Sequence, residues 1–417
     1  MACRFLSRQF RVALTLCAFL VPGLAIAKGL SDSAFEELEA VGLNKYLGKF
    51  SPVSSEDVGD GWVKHTFDPA AGEGPVCISG TDYSVYTRKG KHKRRLLVFL
   101  QGGGACWQDL YQCTLSAESQ APPFPATGIW DLKNKGNPFR DYSVVYMPYC
   151  DGSIFAGDND VLDPRFAAAL AGGETPVIVE PIRRHRGLRN LSAGMDVARS
   201  VFPKPREIAL AGTSAGGVGV TSFAPFLARF VYGNKVKKLT VFNDAGPIVS
   251  NPGAVNAAMA RASDWRFDQY YPASCTECDA LGQALAIVDW RLANDPVIRE
   301  AFYSTDADET GIAFTSVDLP ANPPLYPWDP ANGVFGLTQA NYRALFVPEH
   351  GKINAKYPDR YKRFIVSGDA SHTALQFPLF YTQEVDGTLL NIWTSDFLGN
   401  KKKRWVDLVE EFVPLSQ

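Results

Sequence analysis

The sequence feature that most constrains the fold is the stretch at residues 208–219, which reads Ile-Ala-Leu-Ala-Gly-Thr-Ser-Ala-Gly-Gly-Val-Gly. Its first four residues are apolar and indicate a buried strand, and residues 212–216 match the pattern G-x-S-x-G. A serine in this pattern lies on a sharp turn between a strand and a helix. The apolar, mostly helical segment 218–231 supplies that helix. A glycine-rich turn with an incidental serine can also match this pattern. The predicted strand before Ser214 and the predicted helix after it favour the interpretation of Ser214 as a nucleophile.

The amino terminus predicts secretion. Three arginines precede an apolar run at residues 12–24, and the small residues 25–27 allow cleavage after Ala27. The run is too short to span a bilayer and contains the helix breakers Pro22 and Gly23. We therefore expect residues 1–27 to be a signal peptide. The mature chain is expected to be secreted or periplasmic, without a membrane span.

The charge balance gives no sign of a nucleic-acid partner. The formal net charge of −2 becomes −5 once the three arginines of the signal peptide are removed. The one basic cluster, at residues 88–95, lies between strand-like runs at 83–87 and 95–100. We interpret this cluster as a solvated hairpin turn that joins the two strands.

The cysteines predict disulfides. Six remain in the mature chain, and an even number behind a signal peptide is typical of disulfide-bonded proteins. Proximity in the sequence favours three pairs: Cys106 with Cys113, Cys275 with Cys278 and, among those left, Cys77 with Cys150. The scheme stays open, because six cysteines allow many pairings. Cys275-Thr-Glu-Cys278 is also compatible with a zinc or redox site, but no second C-x-x-C and no nearby histidine support a metal.

From residue 83 onward, short apolar runs alternate with segments that carry apolar residues at helical spacing. The predicted strands are residues 83–87, 95–100, 143–147, 177–180, 208–211, 238–242, 301–304 and 363–367. The predicted helices are residues 32–40, 188–201, 218–231, 254–262, 281–292, 338–345 and 405–412. The alternation predicts an α/β fold with a mostly parallel sheet and helices on both faces, in one domain of residues 28–417. Proline-rich patches at 121–125 and 319–330 are interpreted as long loops over one side of the sheet.

A serine hydroxyl needs a base and an acid that orients this base. Of the five histidines, His372 is the candidate base, because it lies just beyond the predicted strand 363–367. The acid should lie between serine and histidine in chain order. We favour Asp308, with Asp306 next, since both follow the predicted strand 301–304. Asp244 follows the predicted strand 238–242 and is also eligible.

The oxyanion formed during acyl transfer needs backbone N–H donors. Ala215, directly after the serine, supplies one. Gly103 and Gly104 supply the others, because the sequence Gln-Gly-Gly-Gly-Ala-Cys at 101–106 follows the strand 95–100 and allows its amides to turn inward. No metal and no organic cofactor is expected for this chemistry.

Four blocks of the chain resemble the pectin acetylesterase and Notum carboxylesterase family. They are residues 96–106 with Cys113 downstream, residues 149–158 (Tyr-Cys-Asp-Gly-Ser-Ile-Phe-Ala-Gly-Asp), the elbow at Ser214, and Asn-Asp-Ala-Gly at 243–246. The likeness runs from about residue 76 to the carboxyl terminus, and this chain looks most similar to the bacterial branch. It implies an α/β-hydrolase fold, a triad of Ser214, Asp308 and His372, and oxyanion donors Gly103, Gly104 and Ala215.

Two departures from the family affect the substrate. Gln101 stands where the family usually has glutamate, and Ala105 where the plant enzymes carry tryptophan. Plant members deacetylate pectin, whereas Notum removes a fatty acyl group from a secreted signalling protein. The resemblance therefore implies a serine esterase, a carboxylic ester hydrolase acting on a small-molecule or polysaccharide ester, and leaves the acyl group open.

Overall fold

The computed structural model describes residues 29–415, apart from residues 71, 109, 167–180, 247–248, 250, 252–254, 280–284 and 317–336. Three sequence predictions fall outside the described residues: the signal peptide at 1–27, the strand at 177–180 and the proline-rich loop at 319–330. Among the helices that the structure describes, none has both the length and the apolar character of a membrane span.

Strands and helices alternate through most of the described chain. The strands are β1 (Ser54–Gly59), β2 (Trp62–Thr66), β3 (Ser84–Arg88), β4 (His92–Leu100), β5 (Gly104–Trp107), β6 (Leu110–Cys113), β7 (Tyr142–Met147), β8 (Asn159–Leu162), β9 (Ile182–His185), β10 (Glu207–Thr213), β11 (Lys238–Asp244), β12 (Arg299–Thr305), β13 (Tyr361–Val366), β14 (Glu384–Val385), β15 (Thr388–Leu389) and β16 (Leu408–Val409). The α-helices are α1 (Asp32–Ala40), α2 (Gly187–Val201), α3 (Ala215–Thr221), α4 (Ala224–Tyr232), α5 (Val255–Trp265), α6 (Ala286–Asn294), α7 (Glu309–Ser316), α8 (Gln339–Lys356) and α9 (Leu390–Gly399).

A mostly parallel sheet of ten strands organises the molecule, in the order β1-β2-β3-β7-β4-β10-β11-β12-β13-β16. Seven neighbouring strands of this sheet pair in parallel, namely β7, β4, β10, β11, β12, β13 and β16. The amino-terminal β1, β2 and β3 continue the sheet with antiparallel pairs. Parallel strands place all their carboxyl ends at one edge of the sheet. The predicted α/β class with a mostly parallel sheet is confirmed.

Both faces of the sheet are buried, which explains the continuous apolar runs of its central strands. On β4, Leu96, Val98 and Leu100 belong to one hydrophobic cluster, while Leu97 and Phe99 belong to the other. The first cluster packs against helices that include α2, α4 and α6. The second packs against α9 and an aromatic group around Trp130. The sheet therefore lies between two cores, and helices cover both faces as predicted.

Three details of the sequence prediction are wrong. The strands β3 and β4 do not form a hairpin, because β7 lies between them and pairs with both. Residues 405–412 are not a helix, since Leu408 and Val409 form the short edge strand β16 beside β13. The predicted helix 218–231 is two helices, α3 and α4, separated at Ser222 and Phe223 with Pro225 in the first turn of α4.

The six cysteines of the predicted mature chain are all disulfide-bonded. The pairs are Cys77 with Cys150, Cys106 with Cys113, and Cys275 with Cys278. This is the scheme that sequence proximity favours, and it makes the C-x-x-C segment a disulfide in the structure. The first bond joins the segment before β3 to the loop after β7, and the second closes the β5–β6 hairpin.

Candidate active site

The candidate residues follow the carboxyl ends of five adjacent parallel strands. The glycine loop (residues 101–104) follows β4, Ser214 follows β10, Asp244 ends β11, Asp308 follows β12, and the histidine loop (residues 367–377, with His372) follows β13. These strands neighbour one another in the sheet. The carboxyl edge of a parallel sheet is where α/β proteins place their ligand sites, because loops from separate strands meet there.

Ser214 lies on a strained turn between β10 and α3. Its backbone has φ 53° and ψ −122°, a region that non-glycine residues rarely adopt. The Ser214 N–H donates to the carbonyl oxygen of Asp244 at 2.8 Å, which anchors the turn to the neighbouring strand. A side chain on Gly216 would overlap the carbonyl oxygen of Leu100, so the helix can approach the sheet only without one. The predicted strand–turn–helix context of the serine is present.

His372 and Asp308 are in direct contact. His372 Nδ1 lies 2.7 Å from Asp308 Oδ2, and the Asp308 side chain is only 1% exposed. The other oxygen, Asp308 Oδ1, accepts the N–H of Gly311 at 2.8 Å, which fixes the carboxylate at the start of α7. The His372 ring is 23% exposed, yet its Nε2 atom is buried and makes no hydrogen bond within the described chain. A carboxylate on Nδ1 favours the tautomer that leaves Nε2 able to accept a proton.

Asp306, the second candidate acid, has other partners than His372. Asp306 accepts hydrogen bonds from Arg343 Nη1 at 2.6 Å, from the Ser367 hydroxyl at 2.6 Å and from the Gly368 N–H at 2.9 Å. These contacts bind α8 to the start of the histidine loop. Of the three predicted acids, Asp308 is therefore the one that the structure brings to the imidazole.

The third candidate acid, Asp244, holds the histidine loop through backbone N–H groups. Its carboxylate accepts the N–H of Leu375 at 2.7 Å and the N–H of Ala374 at 3.1 Å, just beyond His372. Burial raises the pKa of Asp244 to about 7, against the opposing effects of these two N–H donors and of His372. Because its carbonyl also accepts the Ser214 N–H, Asp244 connects the turn at Ser214 with the histidine loop.

The glycine loop lies against the serine. A Cβ atom added to Gly102 would lie 2.8 Å from the Ser214 Cβ, which shows how closely the two segments approach. Gly103 accepts the N–H of Thr114 through its carbonyl at 2.8 Å, and Gly104 opens the β5–β6 hairpin. Ala215 is the first residue of α3, where backbone N–H groups have no partner within the helix. The structure therefore places Ala215 directly after Ser214 and brings the glycine loop into contact with Ser214 through Gly102.

A polar connection that the sequence did not predict joins the same loops. The Gly102 N–H donates to Thr213 Oγ1 at 3.2 Å, and the Thr213 hydroxyl donates to Gln376 Oε1 at 3.3 Å. Thr213 precedes the nucleophile, and Gln376 belongs to the histidine loop. The position of Thr213 beside the serine was a usable signal in the sequence, whereas Gln376 carried none.

Residues 149–158 form a tight loop that packs on α3, the helix that follows Ser214. Asp151 Oδ1 accepts the N–H of Ser153 at 2.8 Å and its hydroxyl at 2.6 Å. Ile154 and Phe155 both have positive φ angles, of 55° and 59°. A Cβ on Gly219 of α3 would lie 2.9 Å from the Phe155 ring, so this loop and the helix are in close contact. The loop thus supports the turn that carries Ser214.

Three of the other histidines are engaged away from the candidate triad. His65 lies between the hydroxyls of Ser55 and Thr87, His185 contacts Arg183, and His350 stacks on Phe302. Burial, with the positive charge of Arg183, lowers the pKa of His185 to about 3. In the described part of the chain, no three histidine, cysteine, aspartate or glutamate side chains group as metal ligands would.

Comparison with known proteins identifies the family. A sequence model of the pectinacetylesterase family matches residues 61–270, which is half of the chain. Palmitoleoyl-protein carboxylesterase notum1' of Xenopus laevis is 24% identical over 202 residues, which is 46% of this chain and 37% of that protein. Pectin acetylesterase 11 of Arabidopsis thaliana is 31% identical over 107 residues, which is 23% of this chain and 27% of that protein. The matched segments thus span about a third or less of the length of these relatives.

The structural comparison agrees on the fold. The crystal structure of the Wnt deacylase Notum from Drosophila superposes with a TM-score of 0.57 at 18% identity. The superposition covers 83% of this chain and 95% of that one. The likeness of fold therefore extends well beyond residues 61–270. With the family match over half of its length and this shared fold, the chain belongs to the pectinacetylesterase family.

Proposed function

We propose that this chain is a secreted serine carboxylesterase, acting as a single catalytic domain after loss of a signal peptide. Its substrate would be an acetyl or other short-chain ester of a small molecule or a polysaccharide. The observation that carries the proposal is the 2.7 Å contact between His372 Nδ1 and Asp308 Oδ2, on the sheet edge where Ser214 occupies its strained turn. Membership of a family whose relatives are named carboxylesterase and pectin acetylesterase supports the same reaction class.

In the proposed mechanism, the Ser214 hydroxyl attacks the ester carbonyl carbon while His372 Nε2 accepts its proton. Asp308 keeps the imidazole in the required tautomer and stabilises the imidazolium that forms. The backbone N–H groups of Gly103, Gly104 and Ala215 bind the negatively charged oxygen of the tetrahedral intermediate. His372 then protonates the leaving alcohol, and an acyl-enzyme remains.

Water completes the cycle. His372 takes a proton from a water molecule that attacks the acyl-enzyme. It returns this proton to the Ser214 oxygen as the second tetrahedral intermediate releases the carboxylic acid. Apart from the ester and water, the groups that take part in these steps are side chains and backbone N–H groups of the chain. The buried Asp244 does not exchange a proton here, and it contributes by holding Ala374 and Leu375 beside the base.

The proposal is tested with the Ser214→Ala variant and p-nitrophenyl acetate. We expect hydrolysis to fall to the background rate, and a fluorophosphonate probe that labels the wild-type protein to leave the variant unlabelled. Ser222→Ala is the matched control, because that hydroxyl only donates to the Val218 carbonyl of α3 and its loss should leave labelling intact. Retained hydrolysis in Ser214→Ala would refute the assignment of the nucleophile.

Two rivals are separated by further measurements. A lipase or thioesterase would use the same residues but prefer longer acyl chains, and the relatives are named for both palmitoleoyl and acetyl esters. Comparing kcat/KM over p-nitrophenyl esters from acetate to palmitate decides between them. A non-catalytic binding module on a hydrolase fold would show neither hydrolysis nor labelling of wild-type Ser214.

A further inference from the structure

A chain of two hydrogen bonds joins the glycine loop, the residue before Ser214 and the histidine loop. The Gly102 N–H donates to Thr213 Oγ1 at 3.2 Å, and the Thr213 hydroxyl donates to Gln376 Oε1 at 3.3 Å. We call these three residues the hydroxyl relay. The proposed mechanism takes a group from each of the segments that the relay connects, but it gives the relay itself no part.

The chemistry of a hydroxyl gives the relay a direction. A threonine hydroxyl has one proton to donate and lone pairs that accept. Because Thr213 Oγ1 accepts the Gly102 N–H, its own proton is left for the side-chain oxygen of Gln376. Thr213 is only 3% exposed, so its hydroxyl is shielded from water. Gln376 therefore fixes the rotation of this hydroxyl, and the hydroxyl in turn fixes the direction of the Gly102 N–H.

The half-buried Gln376 is anchored through its backbone. Its carbonyl oxygen accepts the Thr127 hydroxyl at 2.9 Å. The residue before it, Leu375, donates its N–H to Asp244 at 2.7 Å and accepts the Ile129 N–H at 2.8 Å. The side chain of Gln376 thus extends from a fixed backbone position within reach of the hydroxyl relay.

The glycine loop needs such a constraint, because its three glycines have wide freedom in φ and ψ. A peptide unit is planar, so its C=O and N–H point in opposite directions. The Gly103 carbonyl accepts the Thr114 N–H at 2.8 Å, which orients the unit between Gly103 and Gly104. The hydroxyl relay orients the unit between Gln101 and Gly102. The peptide unit that carries the Gly103 N–H therefore lies between two fixed neighbours.

We propose that Thr213 and Gln376 are positioning residues that keep the glycine loop in the conformation that binds the oxyanion. This inference rests on the proposed function and adds two residues to the nucleophile, base and acid. Without the relay, the Gly102 N–H loses its acceptor, and the loop turns its peptide units to find another partner. Each unit that turns takes an N–H away from the oxyanion, and a donor lost completely costs about 100- to 1,000-fold in kcat.

The test uses Thr213→Val and Gln376→Leu in the full mature protein, with p-nitrophenyl acetate as substrate. We expect kcat to fall at least about tenfold in Thr213→Val, since the donors are misdirected and not removed. Gln376→Leu should lose less, about threefold or more, because the hydroxyl remains and only its rotation is released. KM should stay within about twofold in both variants, because the oxyanion forms only after the ester is bound.

An inhibitor separates an effect on the glycine loop from an effect on the base. With an aryl trifluoromethyl ketone, the Ser214 oxygen bonds to the carbonyl carbon, the carbonyl oxygen becomes an oxyanion, and His372 takes the hydroxyl proton. The adduct resembles the tetrahedral intermediate, so its inhibition constant should rise in Thr213→Val by about the factor by which kcat/KM falls. The acidic limb of the pH profile of kcat/KM, which reports the base, should stay where it is in wild type.

Two further variants control for packing. Thr213→Ser keeps the hydroxyl and should hold kcat within about threefold of wild type. Thr240→Val is the matched control, because it removes a buried threonine hydroxyl from the neighbouring strand β11, where it donates to the Ile208 carbonyl at 3.4 Å. Its kcat and inhibition constant should equal those of wild type. The double variant Thr213→Val, Gln376→Leu should lose no more than Thr213→Val alone, because both changes break one relay.

Three outcomes would overturn the inference while wild type still hydrolyses the ester. They are an unchanged kcat in Thr213→Val, even with a lowered melting temperature, a Thr213→Ser variant as slow as Thr213→Val, or losses that multiply in the double variant. A wild-type protein without hydrolysis would refute the proposed function and this inference together. If thermal melting shows that Thr213→Val does not fold, an unchanged kcat in Gln376→Leu decides against the relay by the same measure.

Discussion

The glycine loop and the histidine loop meet beside Ser214, but they are fixed by different interactions. The glycine loop continues into the β5–β6 hairpin, which is closed by the Cys106–Cys113 disulfide. The indole N–H of Trp265 donates to the Cys106 carbonyl at 2.7 Å, and apolar residues around Trp107 pack against α5. Covalent and apolar contacts of this kind depend little on pH.

The histidine loop is fixed by buried carboxylates. Asp306 binds the loop at Gly368, Asp244 binds it at Ala374 and Leu375, and Asp308 binds the ring of His372 itself. The disulfides of the described chain lie in other segments. The proposed base is therefore positioned by charge and hydrogen bonding, and the glycine loop with its proposed oxyanion donors by a disulfide staple and apolar packing. Changes in charge should act mainly on the base, and changes in cross-linking mainly on stability.

The largest expected effect comes from the acid. Asp308→Asn keeps the size of the side chain but removes the charge that selects the tautomer of His372, so kcat should fall about 10⁴-fold. Asp306→Asn makes the same change two residues away at a carboxylate that holds the start of the histidine loop and not the ring, so its loss should be smaller. A series of kcat values with p-nitrophenyl acetate measures both. Equal losses in the two variants would contradict the assignment of Asp308.

A smaller loss is expected from Asp244→Ala. Without its carboxylate, the N–H groups of Ala374 and Leu375 lose their acceptor and the histidine loop shifts. A displacement of about 1 Å costs on the order of 100-fold in kcat, while KM should change little. Asp244→Asn retains one acceptor oxygen and should recover part of kcat. If both variants keep the wild-type kcat, the carboxylate does not position the base.

Removing the staple should act on stability. In Cys106→Ser, Cys113→Ser, the unfolded chain gains freedom, and we expect a loss of about 2 kcal/mol in the free energy of unfolding. The kcat of the folded variant should stay within a few-fold of wild type, because Trp265 and the β5–β6 pairing remain. Urea unfolding and kcat at 15–20 °C, roughly the temperature of maximum stability, give the two quantities. A fall in kcat as large as that of Asp244→Ala would contradict the inference that the disulfide contributes mainly to stability.

The last predicted effect is a pH dependence of stability. An unfolded aspartate ionises near pH 4, whereas burial raises the pKa of Asp244 to about 7 in the folded protein. Between these values the folded state binds more protons than the unfolded state, so this residue makes stability fall as pH rises, by at most about 1.4 kcal/mol per pH unit. His185, with a pKa of about 3, has the opposite slope below pH 6.5. Subtracting the curve of Asp244→Asn isolates the residue, and a difference curve flat from pH 4 to 7 would contradict the prediction.

The sequence predicted most of the elements that position the site, because their signals are local. The apolar run before Ser214 and the strand before His372 each fit one buried strand, and both were found within a few residues. The sequence gives no signal for the pairing of strands that are far apart in the chain. β7 enters between β3 and β4 from more than forty residues away. The helix α9 was missed because its buried residues include the polar Asn391, Thr394 and Asp396, so the sequence shows no apolar stripe.

The choice among the aspartates shows where sequence reasoning ends. Asp244, Asp306 and Asp308 all follow or end parallel strands, and all three are buried. The direction of each side chain depends on how its loop leaves the sheet. Asp308 turns toward His372 because its Oδ1 is fixed by Gly311 at the start of α7, a contact that no spacing predicts.

The contact between Gly216 and the Leu100 carbonyl has a consequence for how new specificities arise in this scaffold. Backbone meets backbone directly beneath the nucleophile, so even a methyl group at that position is sterically forbidden. Mutational drift is therefore barred from the turn and confined to the segments around it, such as the hydrophobic cluster that includes Ala105 and Ile154. Laboratory evolution toward other esters should enrich substitutions in these segments and leave the turn invariant.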